Sequence, residues 1–323
     1  MQIVLIYNPK AGHGDFDCDE VVLKLRRAGH DVESYSIKQS SYKRPLKQAT
    51  DLVLVAGGDG TVGKIACELI GRNVPISVLP VGIANNLART LGFTGAPEEI
   101  IASIDRGARH HFDVGHAAGA CGDRYFFEGA GGGLLPDYWR ELAGLVTVAN
   151  KIIPGSKNRQ MVRHVAMLRR LVGAYKPDEW RLKINGKEMT GRYMLVEAMN
   201  IRSVGPILNL AARAKTDDGQ LDLVTVQEKD RKTFSEYLDA RLENHHVEFP
   251  FPARRFRCLE ILSGNTPLHF DDKVWPKEDA KPKPNAKIEI TVEPGALPFC
   301  CRRMPRHSVR TLRAYKIRVP AGG

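Results

Sequence analysis

A glycine-rich turn with one acid at its centre is the strongest chemical signal in this sequence. The turn reads Gly57, Gly58, Asp59, Gly60 and Thr61, and it separates an apolar run from an amphipathic one. Glycines let the backbone approach a ligand closely, and their N–H groups, with the N-terminus of a following helix, form a cradle for phosphate. Asp59 inside such a cradle can hold a nucleotide hydroxyl or Mg²⁺. The alternative is a tight strand-to-helix turn in which Asp59 only caps the helix.

Two further polar turns follow apolar runs in the same part of the chain. One reads Asn8-Pro9-Lys10-Ala11-Gly12, and the other extends from Gly82 to Arg89. The runs at residues 3–7, 32–37, 52–56 and 76–79 predict short buried strands, and helical spacing recurs between them. This alternation predicts an α/β domain with a parallel sheet over residues 1–118. Ligands of such sheets bind beyond the C-terminal ends of the strands, where the three turns fall.

The second half of the chain has a different pattern. Strand-like runs dominate residues 119–299, and Asn185-Gly186 is a hairpin signal, so we predict an antiparallel β-sandwich there. Helices are predicted at 142–152, 162–172 and 234–245, and the Pro- and Lys-rich stretch 273–284 predicts a loop. Residues 300–323 are expected to complete the first domain or to contact a membrane.

The ordered set of motifs resembles that of the diacylglycerol-kinase-like family, which includes bacterial lipid kinases and sphingosine kinases. That family carries an NPxAG-like turn, a GGDGT loop and a turn similar to G-T-x-N-D. Its second domain opens with a glycine pair, to which Gly129 and Gly131 are similar, and contains a DG-L-D stretch like the one beginning at Asp218. The resemblance implies a nucleotide domain followed by a β-sandwich, with the site in the cleft between them. It also implies that ATP and Mg²⁺ serve the phosphorylation of a lipid hydroxyl.

The resemblance also implies roles for individual residues. Asp218 matches the side-chain ligand of a structural Mg²⁺, with the carbonyls of Lys215 and Gln220 completing the protein shell; the alternative is an Asp-Gly turn. Asp59 and Asp271 match family positions with catalytic roles. The implied nucleotide-binding residues are Asn8, Lys10, Gly57, Gly58, Asp59, Gly60, Thr61, Gly82, Asn85 and Asn86.

The sequence departs from the family at several of these positions. Ile83 stands where the family usually has Thr, Asn86 where it often has Asp, and Lys64 where it usually has Glu. The largest departure is Asp271-Asp272-Lys273, where the family has Asp-Gly-Glu with the Glu as the expected general base. A protonated Lys273 cannot accept the proton of a substrate hydroxyl. Asp271 is expected to take over as the base, or Asp272 if a turn lies there, since adjacent strand residues point to opposite faces. Lys273 is expected to neutralise phosphate charge.

Two kinase functions and one non-catalytic function therefore remain in view. The first is a lipid kinase acting on a diacylglycerol-like or long-chain-base hydroxyl. The second is a catalytically impaired protein of the same fold that binds nucleotide or lipid, favoured by Lys64, Ile83 and Lys273. The third is an NAD kinase, which also uses a GGDGT loop, although Thr90-Leu91-Gly92 after the third turn fits the lipid kinases better.

Charge and composition narrow the partners. The formal net charge is +11, the sequence pI is about 9.4, and 43% of the residues are hydrophobic. Such a folded, basic chain favours anionic partners such as nucleotides, phospholipid surfaces or nucleic acid, and the charge alone does not select among them. The family resemblance implies a lipid substrate, and we expect a peripheral encounter with an anionic membrane. No basic-aromatic pattern points to nucleic acid. The N-terminus predicts a strand instead of a signal peptide, so we expect a cytoplasmic protein at the inner membrane face with its six cysteines reduced. A homodimer is left open.

Other clusters have simpler explanations. Asp15, Asp17, Asp19 and Glu20 are acids that suit a helix N-terminus better than a metal site. The pairs His110-His111 and His245-His246 diverge as strand neighbours and predict no shared metal. An apolar stripe of Met161, Val165, Leu168 and Val172 suits either packing within its own domain or contact with a membrane surface.

Overall fold

The computed structural model describes residues 1–11, 16–104, 107–149, 157–205, 208–243, 247–263, 266–277 and 286–301. These residues form two units. Unit 1 comprises residues 1–114, 216–219 and 293–301, and unit 2 comprises the described residues of 115–215 and 220–292. The predicted sites at 245–246 and 302–318, and the acid at position 15, lie outside the described residues.

Unit 1 is built on a parallel sheet. Its elements are β1 (Gln2–Tyr7), α1 (Cys18–Arg27), β2 (Asp31–Ser36), β3 (Leu52–Gly57), α2 (Asp59–Leu69), β4 (Ile76–Pro80), α3 (Asn86–Thr90), α4 (Pro97–Ile104) and the first part of β5 (Ala108–Gly119). The strand order is β4-β3-β1-β2, and Phe299 in the last described strand pairs in parallel with Ile76 on the other side of β4. Every residue of β3 is buried, as expected for a strand covered on both faces. This order places the ends of β1, β3 and β4 side by side.

Helix α1 explains the acidic cluster near the N-terminus. Asp17 is its N-cap, and the Asp17 carboxylate accepts the N–H of Glu20 at 3.0 Å. Asp19 and Glu20 lie in the first turn, where negative charge interacts favourably with the helix dipole. The described acids of this cluster therefore serve the helix start, as the sequence predicts.

In its described residues, unit 2 contains two main antiparallel sheets, one small two-stranded sheet and three α-helices. Its further elements are β6 (Arg124–Phe126), β7 (Gly129–Gly133), α5 (Leu134–Ala149), α6 (Lys157–Ala174), β8 (Glu179–Ile184), β9 (Lys187–Met199), β10 (Ser203–Val204), β11 (Leu208–Asn209), β12 (Leu221–Gln227), α7 (Arg231–Leu242), β13 (Ala253–Phe256), β14 (Cys258–Ser263), β15 (Leu268–Phe270), β16 (Lys273–Trp275) and β17 (Ala286–Cys301), whose end belongs to unit 1.

Strand β9 is shared by the two sheets of unit 2. Its first half pairs with β8, and its second half pairs with both β7 and β12. One hydrophobic core contains residues of both sheets, including Trp180, Leu182, Val196 and Leu223. A second core joins the outer face of the β7-β9-β12 sheet to helices α5, α6 and α7. The sandwich predicted for this half is thus present, with helices covering one of its faces.

Two predictions for unit 2 need correction. The stretch 273–284 is not a loop throughout, because β16 begins at Lys273. Helix α5 begins at Leu134, eight residues before the predicted start at 142, and Pro136 in its first turn is the overlooked start signal. The apolar stripe of α6 packs within its own domain, as one of the two alternatives predicts, because Val165, Leu168 and Val172 are buried in the second core. Among the described residues, no helix is both long enough and apolar enough to span a bilayer.

Candidate functional site

The three predicted turns of unit 1 meet at adjacent strand ends. The N–H of Asn8, after β1, donates to the carbonyl of Ala56 in β3 at 3.0 Å. The side-chain amide of Asn8 donates to the hydroxyl of Thr61 at 3.2 Å. The parallel register of β1 with β3 and of β3 with β4 therefore brings the first turn against the glycine-rich one.

The second and third turns touch through glycine backbone. A Cβ atom on Gly82 would lie 2.5 Å from the Cα of Gly58, and one on Gly57 would lie 2.5 Å from the Cβ of Thr61. Neither position has room for a side chain. Glycine is required here because two backbone segments approach each other closely. The peptide groups of both turns therefore stay near the strand ends.

Asn85 holds the third turn in shape. Its Oδ1 atom accepts the N–H of Gly82 at 2.9 Å, and its Nδ2 atom donates to the carbonyl of Gly82 at 2.8 Å. Its φ of 51° lies in the left-handed region, which asparagine tolerates better than most residues. The side chain of Asn85 is thus engaged by its own turn, whose backbone shape it fixes.

Asp59 joins the glycine-rich turn to helix α3. Its Oδ1 atom accepts the N–H of Leu87 at 2.9 Å. Burial raises the pKa of the Asp59 carboxyl, while the N–H groups of Leu87 and Asn86 and the charge of Arg89 oppose that rise. Asp59 is the first residue of α2, but its carboxylate caps the N-terminus of α3. The alternative in which Asp59 caps a helix is therefore partly right.

The remaining predicted residues of unit 1 differ in exposure, since Asn86 is buried whereas Lys10 is exposed. Gly60 is exposed, and the side chain of Asn86 accepts a hydrogen bond from Arg89. The backbone N–H of Lys10 donates to the Asn8 side chain at 3.0 Å. Burial and the charge of Lys10 lower the pKa of Lys38, so two ammonium groups lie close together beside the first turn. Such a pair suits an anionic ligand.

The structure shows where two residues that depart from the family pattern, Lys64 and Ile83, are placed. The ammonium group of Lys64 lies 5.0 Å from the centre of the Tyr42 ring, a cation–π contact on the surface of α2. Ile83 lies in the third turn with 40% of its surface exposed. Lys64 therefore has a structural role of its own, whereas nothing in the contacts of Ile83 explains that residue.

Asp113, which the sequence analysis did not single out, organises the segment of the predicted metal loop. Its carboxylate accepts the N–H of Gly219 at 2.7 Å and that of Gly295 at 2.8 Å, and its own N–H donates to the carbonyl of Thr216 at 2.7 Å. Burial raises the pKa of Asp113, the two glycine N–H groups lower it, and the charges of Asp218 and Asp217 raise it further.

The acidic surroundings of this loop fit a divalent cation. The charges of Asp217 and Asp218 help to raise the pKa of Asp113, and a cation would relieve that repulsion. The expected ligands are one carboxylate, from Asp218, and the backbone carbonyls of Lys215 and Gln220, which are the oxygen donors that Mg²⁺ prefers. Within the described part of the chain, no group of three His, Cys, Asp or Glu side chains is placed to hold a metal. A site at this loop would therefore depend on backbone oxygens and water.

In unit 2, Asp271 is held at a sharp turn between β15 and β16. Its φ is 53°, and its carboxylate accepts the N–H groups of Phe127, Glu128 and Gly129 at 2.8 to 3.3 Å. The N–H of Asp271 donates to the carbonyl of Gly129 at 2.8 Å. Burial raises the pKa of Asp271 to about 6, against the opposing effect of those N–H groups. The neighbours Asp272 and Lys273 are exposed.

Beneath this turn lies a buried ion pair that the sequence analysis missed. The Nε2 atom of His269 lies 2.8 Å from the Oε1 atom of Glu197, and both side chains are fully buried. A signal was present in both strands, because Glu197 is one acid in the apolar run Met194–Met199 and His269 lies between Leu268 and Phe270. A polar residue on a buried strand face needs a partner, but the sequence does not say which one.

Two family models match this chain. The model of the diacylglycerol kinase catalytic domain matches residues 2–117. The model described as the YegS C-terminal NAD kinase beta sandwich-like domain matches residues 142–301. The first covers the three turns of unit 1, and the second covers the metal loop and the Asp271 turn.

Similar proteins of known name and structure agree with these matches. The diacylglycerol kinase of Bacillus subtilis strain 168 is 26% identical over 75% of this chain and 79% of its own length. That of Staphylococcus carnosus strain TM300 is 24% identical over 76% of this chain and 79% of its own. The crystal structure of a diacylglycerol kinase from Bacillus anthracis strain Sterne superposes with a TM-score of 0.66 over 93% of this chain and 97% of its own, at 21% identity. The chain therefore belongs to the diacylglycerol-kinase-like family of lipid kinases.

Proposed function

We propose that this chain is an ATP- and Mg²⁺-dependent lipid kinase that phosphorylates a hydroxyl group of a diacylglycerol-like or long-chain-base lipid. The observation that carries the proposal is the junction of the three turns in unit 1, where Asn8 contacts Thr61 and Gly58 contacts Gly82. Glycine turns at strand ends, followed by helix N-termini, are suited to bind phosphate. The names of the relatives support a lipid as the phosphate acceptor.

Unit 1 would hold the nucleotide. The backbone N–H groups of Gly57 to Gly60 would bind its phosphates, and Lys10 would add positive charge beside the first turn. Asp59 would keep the glycine-rich turn and α3 in register, as its bond to Leu87 indicates. Bound Mg²⁺ would supply neutralisation of phosphate charge. Asp218, with the carbonyls of Lys215 and Gln220, would hold a structural Mg²⁺.

Unit 2 would supply the proton acceptor. A carboxylate with a pKa of about 6 is ionised at neutral pH and accepts a proton more readily than an ordinary aspartate. In the proposed step, the lipid oxygen bonds to the γ-phosphorus, the bond to the ADP oxygen breaks, and the hydroxyl proton passes to Asp271. Lys273, exposed beside this turn, would offset the charge of the transferred phosphoryl group.

A basic protein with a lipid substrate must meet that substrate in a membrane. We therefore include in the proposal a peripheral encounter with an anionic, cytoplasmic membrane face, for which the net charge of +11 is the support. The stripe of α6 is not the contacting surface, because it is buried within unit 2.

The test is transfer of labelled γ-phosphate from ATP with Mg²⁺ to a mixed lipid extract, with NAD⁺ offered in a parallel reaction. Wild type is compared with Asp59→Asn and with Asp19→Ala, a matched control that removes an exposed acid of α1. We expect a labelled lipid from wild type and from Asp19→Ala, and a decrease of at least about 100-fold for Asp59→Asn, since the turns that position phosphate would be altered.

The other outcomes separate the alternatives. Label in NAD⁺ instead of lipid would identify an NAD kinase. No label anywhere, with ATP binding retained by wild type and lost in Asp59→Asn, would identify a nucleotide-binding protein without kinase activity. Lys273→Glu refines that case, because restoring the family residue should revive an impaired enzyme and change an active one little.

A further inference from the structure

The side chains of Glu197 and His269 meet across strand β7, where the residue between them is a glycine, Gly131. In the sheet register, His269 of β15 lies opposite Gly131 of β7, and Gly131 lies opposite Glu197 of β9. The two backbones are thus two strand spacings apart, or about 10 Å. A Cβ atom on Gly131 would lie 2.7 Å from the Oε1 atom of Glu197 and 1.9 Å from the carbonyl oxygen of Val196. Glycine at position 131 therefore leaves the space through which the pair forms.

The hydrogen bonds of His269 fix where its protons are. The Nδ1 atom lies 2.8 Å from the carbonyl oxygen of Asp271. A carbonyl oxygen only accepts, so Nδ1 carries a proton. The Nε2 atom faces the Oε1 atom of Glu197 at 2.8 Å, and one further proton must lie between these two atoms. The pair is therefore either an imidazolium with a carboxylate or a neutral imidazole with a carboxylic acid, and its total charge is zero in both forms.

The surroundings favour keeping that shared proton. Burial raises the pKa of Glu197, and its Oε2 atom accepts no hydrogen bond from the described residues. Burial alone would lower the pKa of His269, but Glu197 and Asp271 raise it overall. The ring of Trp139 in α5, which carries no charge, also lies near the pair, with its centre 6.3 Å from that of His269.

The Glu197–His269 pair contacts the Asp271 turn through one atom, Nδ1 of His269. All the polar groups of Asp271 are engaged: its carboxylate by three N–H groups, its N–H by Gly129, and its carbonyl by His269. The contact to His269 is the one that reaches the interior of the sheet. It supports a residue at φ 53°, a conformation that needs such support outside glycine.

We propose that Glu197 and His269 are positioning residues, which share one proton and thereby lock His269 in the form that donates Nδ1–H to Asp271. The sharing of the proton is independent of the enzymatic reaction. The consequence for catalysis rests on the proposed function, in which Asp271 accepts the proton of the lipid hydroxyl. A turn displaced by the loss of this donor would misplace that carboxylate.

The first test is spectroscopic and needs no activity. In ¹⁵N-labelled protein, the ring nitrogens of His269 are assigned by the signal that His269→Asn loses. We expect Nδ1 to show the chemical shift of a protonated nitrogen throughout the neutral pH range. In Glu197→Gln, Nε2 should move to the shift of an unprotonated nitrogen, because the amide of Gln can donate to it while Nδ1 keeps its proton. A ring protonated on Nε2 alone would overturn the proposal.

The second test compares two replacements of the same side chain. Asn places its amide nitrogen near the position of Nδ1, whereas Gln reaches the position of Nε2. Both are combined with Glu197→Gln so that no buried carboxylate is left unpaired. We expect kcat for lipid phosphorylation to be at least about tenfold lower with Gln at 269 than with Asn, and KM for ATP to change less than about twofold in both. His164→Gln, in α6, is the matched control.

The outcomes of the two tests are distinguishable. Equal losses of kcat with Asn and Gln at position 269 would mean that the side chain only fills space, and would overturn the positioning role. An inactive wild type with the expected ¹⁵N shifts would contradict the proposed function and leave the proton-sharing pair established.

Discussion

The turns of unit 1 and the Asp271 turn of unit 2 are built in different ways. In unit 1, glycine backbone packs against glycine backbone, as between Gly58 and Gly82, and the polar side chains only fasten neighbouring turns. In unit 2, a carboxylate gathers three N–H groups and is backed by a fully buried ion pair. The first arrangement offers peptide groups to a ligand and tolerates few added atoms. The second fixes one charged group and depends on keeping its hydrogen bonds.

The largest expected effect tests this dependence directly. Asp271→Ala leaves the N–H groups of Phe127, Glu128 and Gly129 without their acceptor, and each unsatisfied group costs about 1–3 kcal/mol. We expect unit 2 to lose at least about 3 kcal/mol of unfolding free energy. This loss of unfolding free energy is measured by urea unfolding monitored through tryptophan fluorescence, because Trp139, Trp180 and Trp275 all lie in unit 2. The counterpart Asp59→Ala should cost about 1 kcal/mol, as for a helix cap, measured by circular dichroism. Equal losses would contradict the comparison.

The buried carboxylate of Asp271 should also make the stability of unit 2 depend on pH. The pKa of Asp271 is raised to about 6, so the folded chain keeps this proton after the unfolded chain has lost it. Stability is therefore fully present below a pH of about 4 and falls as the pH rises through about 6, by up to about 3 kcal/mol. Asp271→Asn removes this titration, and the difference between wild type and the variant, measured by urea unfolding at several pH values, isolates it. A difference that grows in the wild type's favour with rising pH would contradict the prediction.

An added methyl group should lower stability most when it is placed in the turns of unit 1. In Gly82→Ala the new methyl group would meet the Cα of Gly58 and the side chain of Asn85, at 2.5 and 2.7 Å. We expect a loss of about 1–3 kcal/mol in stability and a weakened affinity for ATP, which calorimetry measures. Gly173→Ala in α6 is the control, since a Cβ there has nothing within 4 Å. Unchanged ATP affinity in Gly82→Ala would show that the third turn does not bind the nucleotide.

The smallest effect concerns a departure from the family pattern. Lys64→Ala removes the cation–π contact with Tyr42 and should lower stability by only about 0.5–1 kcal/mol. Affinity for ATP should stay the same, because this contact lies on the surface of α2 and not in a turn. A large loss of ATP affinity would mean that Lys64 acts on the nucleotide site after all.

The contrast between the regions also explains what could be predicted from the sequence. The turns of unit 1 are local: Gly57 to Thr61 adjoin one another in the chain, and the apolar runs before them indicate a parallel sheet. That fold class and the sandwich of the second half were predicted correctly. Asp113 and the pair Glu197–His269 were missed, because their partners lie 72 to 182 residues away in the sequence. In the sequence, the only sign of such a long-range hydrogen bond is one polar residue within an apolar run.

Strand β9 carries a consequence for how unit 2 comes apart. Because Lys187–Met199 supplies hydrogen-bond partners to both sheets, neither sheet can open completely without disturbing the other. The two layers should thus behave as a single cooperative block in hydrogen exchange, with the amides of β8 and β12 becoming labelled at similar rates. Glu197 lies within that block, so the residue that supports the Asp271 turn should become exposed only when both sheets open.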